Sequence, residues 1–384
     1  MKCLQLILVL LLISITQTGC WNRVELTEKG FIMGVAIDQI KPGTIKFSVQ
    51  LYKPGQMAGG QGGKQDNSFF NIETRSESIF DAVRDITLHL GRRAQFSHMR
   101  VIIINEKTAK REDLISLLEF FYRDHEPRLN TKVLISEGDA SEFLKIKPLI
   151  EQTVTQQLNR MQEIGNVGTG KVPDVNLLEL SQALKSQVPN IALPVASKKK
   201  DVVILAGMAM IKKGKMIGTL RGKQTENVLM LSDQYKSGVL QIPCEKTSKD
   251  AKNSTEAVEI QMVKTKLKPI LKMDPLKVKV DVNIAGNIGE LKCTKFEKRE
   301  DQVKFQKKVQ KLMEERLKDT IRFTQKEKID LIGLGNQIYR SNPKLWKKWK
   351  KDWDNRYSTA KFEVKVKFDI RNTLSIVGKP LSDK

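Results

Sequence analysis

Cys20 carries the most defined chemistry in the 384-residue chain. It ends the stretch Gln17-Thr18-Gly19-Cys20, where two small residues precede a thiol just beyond an aliphatic run over residues 4–15. Such a thiol is the nucleophile that takes up a diacylglyceryl group before cleavage leaves the cysteine as the first mature residue. Two acyl chains, at about 0.8 kcal/mol per buried methylene, hold a protein at a bilayer without any spanning helix. The twelve-residue run covers only about 18 Å as a helix, against a hydrocarbon core of about 30 Å. It therefore reads as a signal peptide, residues 1–19, removed on maturation. Gln17 stands where an aliphatic residue is usual at such sites. Cys244 and Cys293 are the two cysteines left in the mature chain. A disulfide between them and two separate thiols both remain open, because spacing does not fix connectivity.

Other residue groupings fall short of catalysis or cofactor binding. Gly165 to Lys171 nearly spells a phosphate-binding loop, but Val172 occupies the position of the hydroxyl that would hold magnesium, and the preceding residues look helical. It reads as an interhelical loop. His89, His98 and His125 lack metal-ligand spacing. Glu119, Asp124 and Glu126 alternate with Arg123 and Arg128, a pattern of ion pairing. No metal, cofactor or catalytic residue is expected, and the only prosthetic chemistry is the lipid on Cys20, diacylglyceryl and N-acyl. The chain carries 67 Lys and Arg against 44 Asp and Glu, a net charge of +23. Residues 292–384 hold 26 of the bases against 13 acids. In that segment Trp346, Trp349 and Trp353 lie three and four residues apart among lysines. On a helix the indoles share one face, which either packs on a sheet or lies at a membrane interface. Export argues against nucleic acid as the partner of this base.

The elements that must position these residues come in two styles. Residues 30–38 and 44–52 read as strands around a Pro42-Gly43 turn, and the Gly-rich residues 54–67 as a mobile exposed loop. A helix over 76–90, capped by Ser76 and ended by Gly91, precedes a strand over 96–105, a helix over 111–125 and a strand over 132–135. Helices over 149–164 and 175–184 follow, and Pro189, Pro194 and the basic residues 198–200 mark a boundary. Residues 202–211 and 215–220 form a hairpin that opens a second domain, followed by strands over 239–242, 258–267 and 278–284. An amphipathic helix over 297–324 and a strict period of two at Phe362, Val364, Val366, Phe368 and Ile370 complete the chain. The expected fold is multidomain α+β: a mixed sheet with helices over residues 20–196, with room for two subdomains, and an antiparallel sheet with a long packed helix over 197–384.

Several stretches, in order, resemble one family. Cys20-Trp21-Asn22-Arg23-Val24-Glu25-Leu26, followed by Gly34-Val35-Ala36-Ile37-Asp38, is similar to the opening of the C-subunit lipoproteins of spore germinant receptors. That opening usually has Asp where Asn22 stands. Leu90-Gly91-Arg92-Arg93 with Phe96-Ser97-His98, the stretch from Glu119 to Arg128, Gly207-Met208-Ala209, and Ile332 to Gly335 leading to Pro343, Trp346 and Trp353 resemble the later signatures. The resemblance implies a non-enzymatic, multidomain α+β lipoprotein on the outer face of the spore inner membrane. It implies assembly with integral-membrane subunits and a requirement in nutrient-triggered germination. Arg92, His98, Arg123, Glu126 and Arg128 are candidates for a polar cluster that fixes local structure or meets a partner. An alternative is a lipid-anchored solute-binding protein of a transporter, which requires a cleft between two doubly wound lobes.

Overall fold

The computed structural model describes residues 28–53, 68–244 and 254–371, with Gln5 and Glu25. The expected signal peptide apart from Gln5, Cys20, and the glycine-rich residues 54–67 lie outside the described residues.

Strands β1 (Lys29–Lys41) and β2 (Thr44–Tyr52) pair antiparallel around Gly43, whose φ of 76° is the left-handed value a tight turn requires. Ile32 through Asp38 of β1 are buried without alternation, as in a strand covered on both faces. β3 (Phe69–Ser76) leads to helix α1 (Ile79–Leu90), capped by the Ser78 side chain, which accepts the Asp81 N–H, and ended by Gly91 in the left-handed region. Ser76, the expected cap, instead donates to the Asp81 carboxylate at 2.6 Å. After β4 (Arg93–Gln95) and β5 (Val101–Asn105) come α2 (Glu106–Arg111), α3 (Leu114–Leu117) and α4 (Glu119–Arg123). The single helix expected over 111–125 is broken because Asp113 leaves helical geometry to accept the N–H groups of Ile115 and Ser116. β6 (Lys132–Ser136), α5 (Ala140–Leu144), α6 (Val154–Thr169), α7 (Leu177–Leu184), β7 (Asn190–Lys199), β8 (Val202–Lys212) and β9 (Lys215–Leu220) follow.

These strands form one nine-stranded mixed sheet in the order β3-β2-β1-β5-β6-β7-β8-β9, with β4 beside β1. β1, β5, β6 and β7 run parallel, whereas β2, β3, β8 and β9 pair antiparallel with their neighbours. The boundary expected around residues 189–200 falls inside this sheet. Pro194 is tolerated there at a register shift in the β7–β8 pairing, and the 202–220 hairpin extends the same sheet.

Helix α8 (Lys223–Leu231), which the sequence pattern did not reveal, leads to the second sheet of β10 (Gly238–Pro243), β11 (Thr255–Ile270), β12 (Lys277–Glu290) and β13 (Lys361–Ile370). Between β12 and β13 lie α9 (Arg299–Lys326), α10 (Leu334–Ser341), α11 (Pro343–Trp349), a 3-10 turn (Lys350–Asp352) and α12 (Trp353–Thr359). β13 joins β12 in parallel, from Lys277 opposite Lys361 to Gly286 opposite Ile370, so the sheet is not antiparallel throughout. The helical connection carries the chain back to the end where β12 began, which a hairpin cannot do. Phe305, Val309, Met313, Leu317 and Ile321 of α9 are buried with Val364, Val366 and Phe368 of β13 in one core. Met208, Met210 and Leu220 of the first sheet join that same core, so the two halves are packed together. Among the described residues the two sheets do not form the two doubly wound lobes of a solute-binding protein.

Candidate functional site

Two of the family-like stretches of the first half, Leu90 to His98 and Glu119 to Arg128, meet beside the start of β1. Phe31 of β1 stands opposite Gln95 of β4, and the His98 ring meets Phe31 edge-on at 5.2 Å. Glu126 accepts the Phe96 N–H at 3.1 Å with one carboxylate oxygen and pairs with Arg93 at 3.2 Å through the other. The proposed polar cluster is therefore redistributed. Glu126 is satisfied by Arg93, a residue absent from the expected set, and Arg123 turns away to the exposed Glu119 at 2.8 Å. His98 lies within the field of Arg128 and Arg100; burial first, and then these two charges, hold its pKa below 6.5. Arg92 is exposed and takes no part in the Glu126 pairing.

Asp38, at the end of the Gly34-to-Asp38 stretch, was not among the expected site residues. Only 3% of it is exposed, and it accepts the N–H groups of Ala140 at 2.7 Å and Ser141 at 2.9 Å and the Asn105 amide at 2.9 Å. It thereby caps α5 from another strand, in place of Asp139, whose side chain makes no cap bond. Lys46 stands 3.8 Å from the same carboxylate. Asn105 in turn caps α2 by accepting the Lys107 N–H. The only signal in the sequence was a carboxylate closing an apolar strand.

The second half has its own buried carboxylate. Asp330 accepts the N–H groups of Leu334 at 3.1 Å and Gly335 at 2.7 Å, fixing the start of α10. Burial pushes its pKa up, opposed by the amides of Gly335, Leu334 and Gly333 and the Trp353 indole. A side chain on Gly335 would stand 2.5 Å from Val188 and 2.7 Å from Trp353, so that close approach requires glycine. Trp346, Trp349 and Trp353 are only 2%, 8% and 4% exposed. The Trp346 and Trp353 rings meet at 5.2 Å, the Trp346 N–H donates to Gln187 at 3.1 Å, and Arg356 lies over Trp349 at 5.0 Å. The indoles are turned into the core, so they do not form a membrane-facing surface.

Cys244 and Cys293 are joined as a disulfide across 49 residues. Glu256, beside them and fully buried, accepts the N–H groups of Cys293 at 3.1 Å and Thr294 at 2.7 Å. These three residues are the one metal-like grouping among the described residues, and their sulfurs are bonded to each other. The Gly165-to-Lys171 stretch is no interhelical loop: it forms the last turns of α6, ending on Gly170 at φ 62°. Gly170 is pressed against Tyr235, where a side chain would stand 2.2 Å from the ring. Gly170 thus serves packing against Tyr235, and the stretch, being mostly helical, forms no phosphate cradle.

Two family models together cover most of the chain: the spore germination protein N-terminal domain over residues 22–198, and the spore germination B3/GerAC-like C-terminal domain over residues 206–374. The chain belongs to this family of spore germination proteins. It is 28% identical to spore germination protein KC of Bacillus subtilis (strain 168), over 97% of this chain and 96% of the relative. It is 22% identical to spore germination protein B3 of the same organism, over 94% and 95%. The crystal structure of the GerBC protein shares the fold, with a TM-score of 0.56 and 20% identity over 88% of this chain and 97% of that one.

Proposed function

We propose that this chain is a membrane-anchored lipoprotein subunit of a nutrient germinant receptor, tethered through acylated Cys20 at the outer face of the spore inner membrane and assembled with integral-membrane subunits. One observation carries the reading: the family match begins at residue 22, two residues beyond a lipobox-like cysteine, and runs to residue 374. No helix among the described residues is long and apolar enough to cross a membrane. The subunit acts by contact, without a catalytic centre. Three of its buried carboxylates, Asp38, Asp330 and Glu256, are occupied as helix caps or as an acceptor for loop amides, and its histidines are dispersed. The test is Cys20→Ala. The variant should leave the membrane fraction of spores, and nutrient-triggered germination should fall. A variant that stays fully membrane-bound with normal germination would end the tether reading.

A further inference from the structure

The helix that turns its tryptophans inward turns a row of lysines outward. Lys344, Lys347, Lys348, Lys350 and Lys351, on α11 and the 3-10 turn, are all exposed, and among the described residues no ion pair reaches any of them. The carboxylates close in sequence are already engaged: Asp352 with Arg356 at 3.8 Å, and Asp354 with Lys212 at 2.9 Å and Lys213 at 3.7 Å. This is an uncompensated cationic face whose attraction for anions is not used within the fold.

The topology places this face near the membrane tether. β1, β5, β6 and β7 run parallel, so their first residues lie at one end of the large sheet. Immediately before β7, Gln187 accepts the Trp346 N–H and Val188 donates to the Asn336 amide oxygen at 3.1 Å, which hangs α10 and α11 at that end. β1 begins at the same end, three strand spacings away, or about 15 Å. Lys29, its first residue, is nine residues after Cys20, a chain length that reaches at most about 30 Å. A lipid on Cys20 therefore holds this end of the sheet within about that distance of the bilayer.

We propose that the lysine face of α11 docks on anionic phospholipid headgroups of the bilayer that anchors the chain, setting how the folded domains stand on the membrane. The inference rests on the acylated-Cys20 reading for its geometry, but its test does not need the acyl group. The mature full-length chain carrying Cys20→Ser is mixed with phosphatidylglycerol or phosphatidylcholine vesicles, and the bound fraction is read by sedimentation. Binding should be confined to phosphatidylglycerol and should weaken as salt rises. K347Q/K348Q/K351Q should lose binding by roughly 100-fold, equivalent to about 1 kcal/mol per lysine near an anionic surface. K304Q/K307Q/K311Q removes the same charge from α9 and should bind like the parent; glutamine keeps both helices intact. Equal losses in the two variants, or equal binding to both lipids, would overturn the proposal. The mass of the native N-terminal peptide reports acylation separately. Vesicle binding by the lysine face with an unmodified Cys20 would remove the tether and leave the docking face standing.

Discussion

The two halves of the molecule each bury an aspartate as a helix cap, and they use it differently. Asp38 reaches across 102 residues to the start of α5, with Lys46 and Asn105 at its side. Asp330 reaches only four and five residues onward, and burial raises its pKa. The first half is thus closed by polar clasps between distant segments; the Gln50 side chain, which accepts the Thr155 N–H across 105 residues, is another. The second half has a local cap and a covalent closure, Cys244–Cys293. A long-range clasp selects which segments meet, whereas a local cap only sharpens a helix already placed by its core.

The largest expected effect breaks the covalent side of this comparison. Replacing both cysteines, Cys244→Ser with Cys293→Ser, should lower stability by about 4 kcal/mol, the loop-closure entropy for the 49-residue separation. Denaturant midpoints measure it; an unchanged midpoint would show that Glu256 and the core close this half alone. Next is Asp38→Ala, which strips a charged acceptor from three buried donors and should cost about 3 kcal/mol in urea unfolding. A loss below about 1 kcal/mol would mean that the clasp follows the packing of α5 instead of directing it.

The smallest effect sharpens the comparison through pH. Because burial raises the folded pKa of Asp330, its contribution to stability is fullest below the ordinary value of 3.8 and declines as pH rises toward the folded value. Asp330→Asn, neutral at every pH, should be the less stable protein near pH 4 by about 1 kcal/mol, for one amide bond lost. That gap should narrow or reverse as pH rises toward neutrality. A gap independent of pH would show that the carboxylate stays as charged in the fold as in the unfolded chain.

Much of the fold was legible in the residues. The period of two over β13 and the helical spacing of Phe305 to Ile321 depend only on which face meets a core, and both elements lie where that spacing predicts. The spacing of Trp346, Trp349 and Trp353 showed that the indoles share a side; whether that side met the core or a bilayer depended on what lay across from it. The polar cluster was legible only in part. Glu126 chose Arg93 because β4 lies beside β1, a pairing that no local pattern encodes. Asp38 escaped notice for the same reason, since its partners stand 67 and 102 residues away.

The sequence alone carried the expectation of a signal peptide and a lipid-accepting Cys20, the sides of the amphipathic strands and helices, and the family. Those features rest on short-range periodicity and on residue chemistry, which neighbouring positions suffice to express. Only the tertiary structure decided that the 202–220 hairpin belongs to the first sheet, that β13 runs parallel to β12, that the two cysteines join, and that α11 hangs beside the start of β7. Each of these is a choice among distant partners. Loop closure costs grow only slowly with separation, so the chain leaves that choice to the packing of whole surfaces.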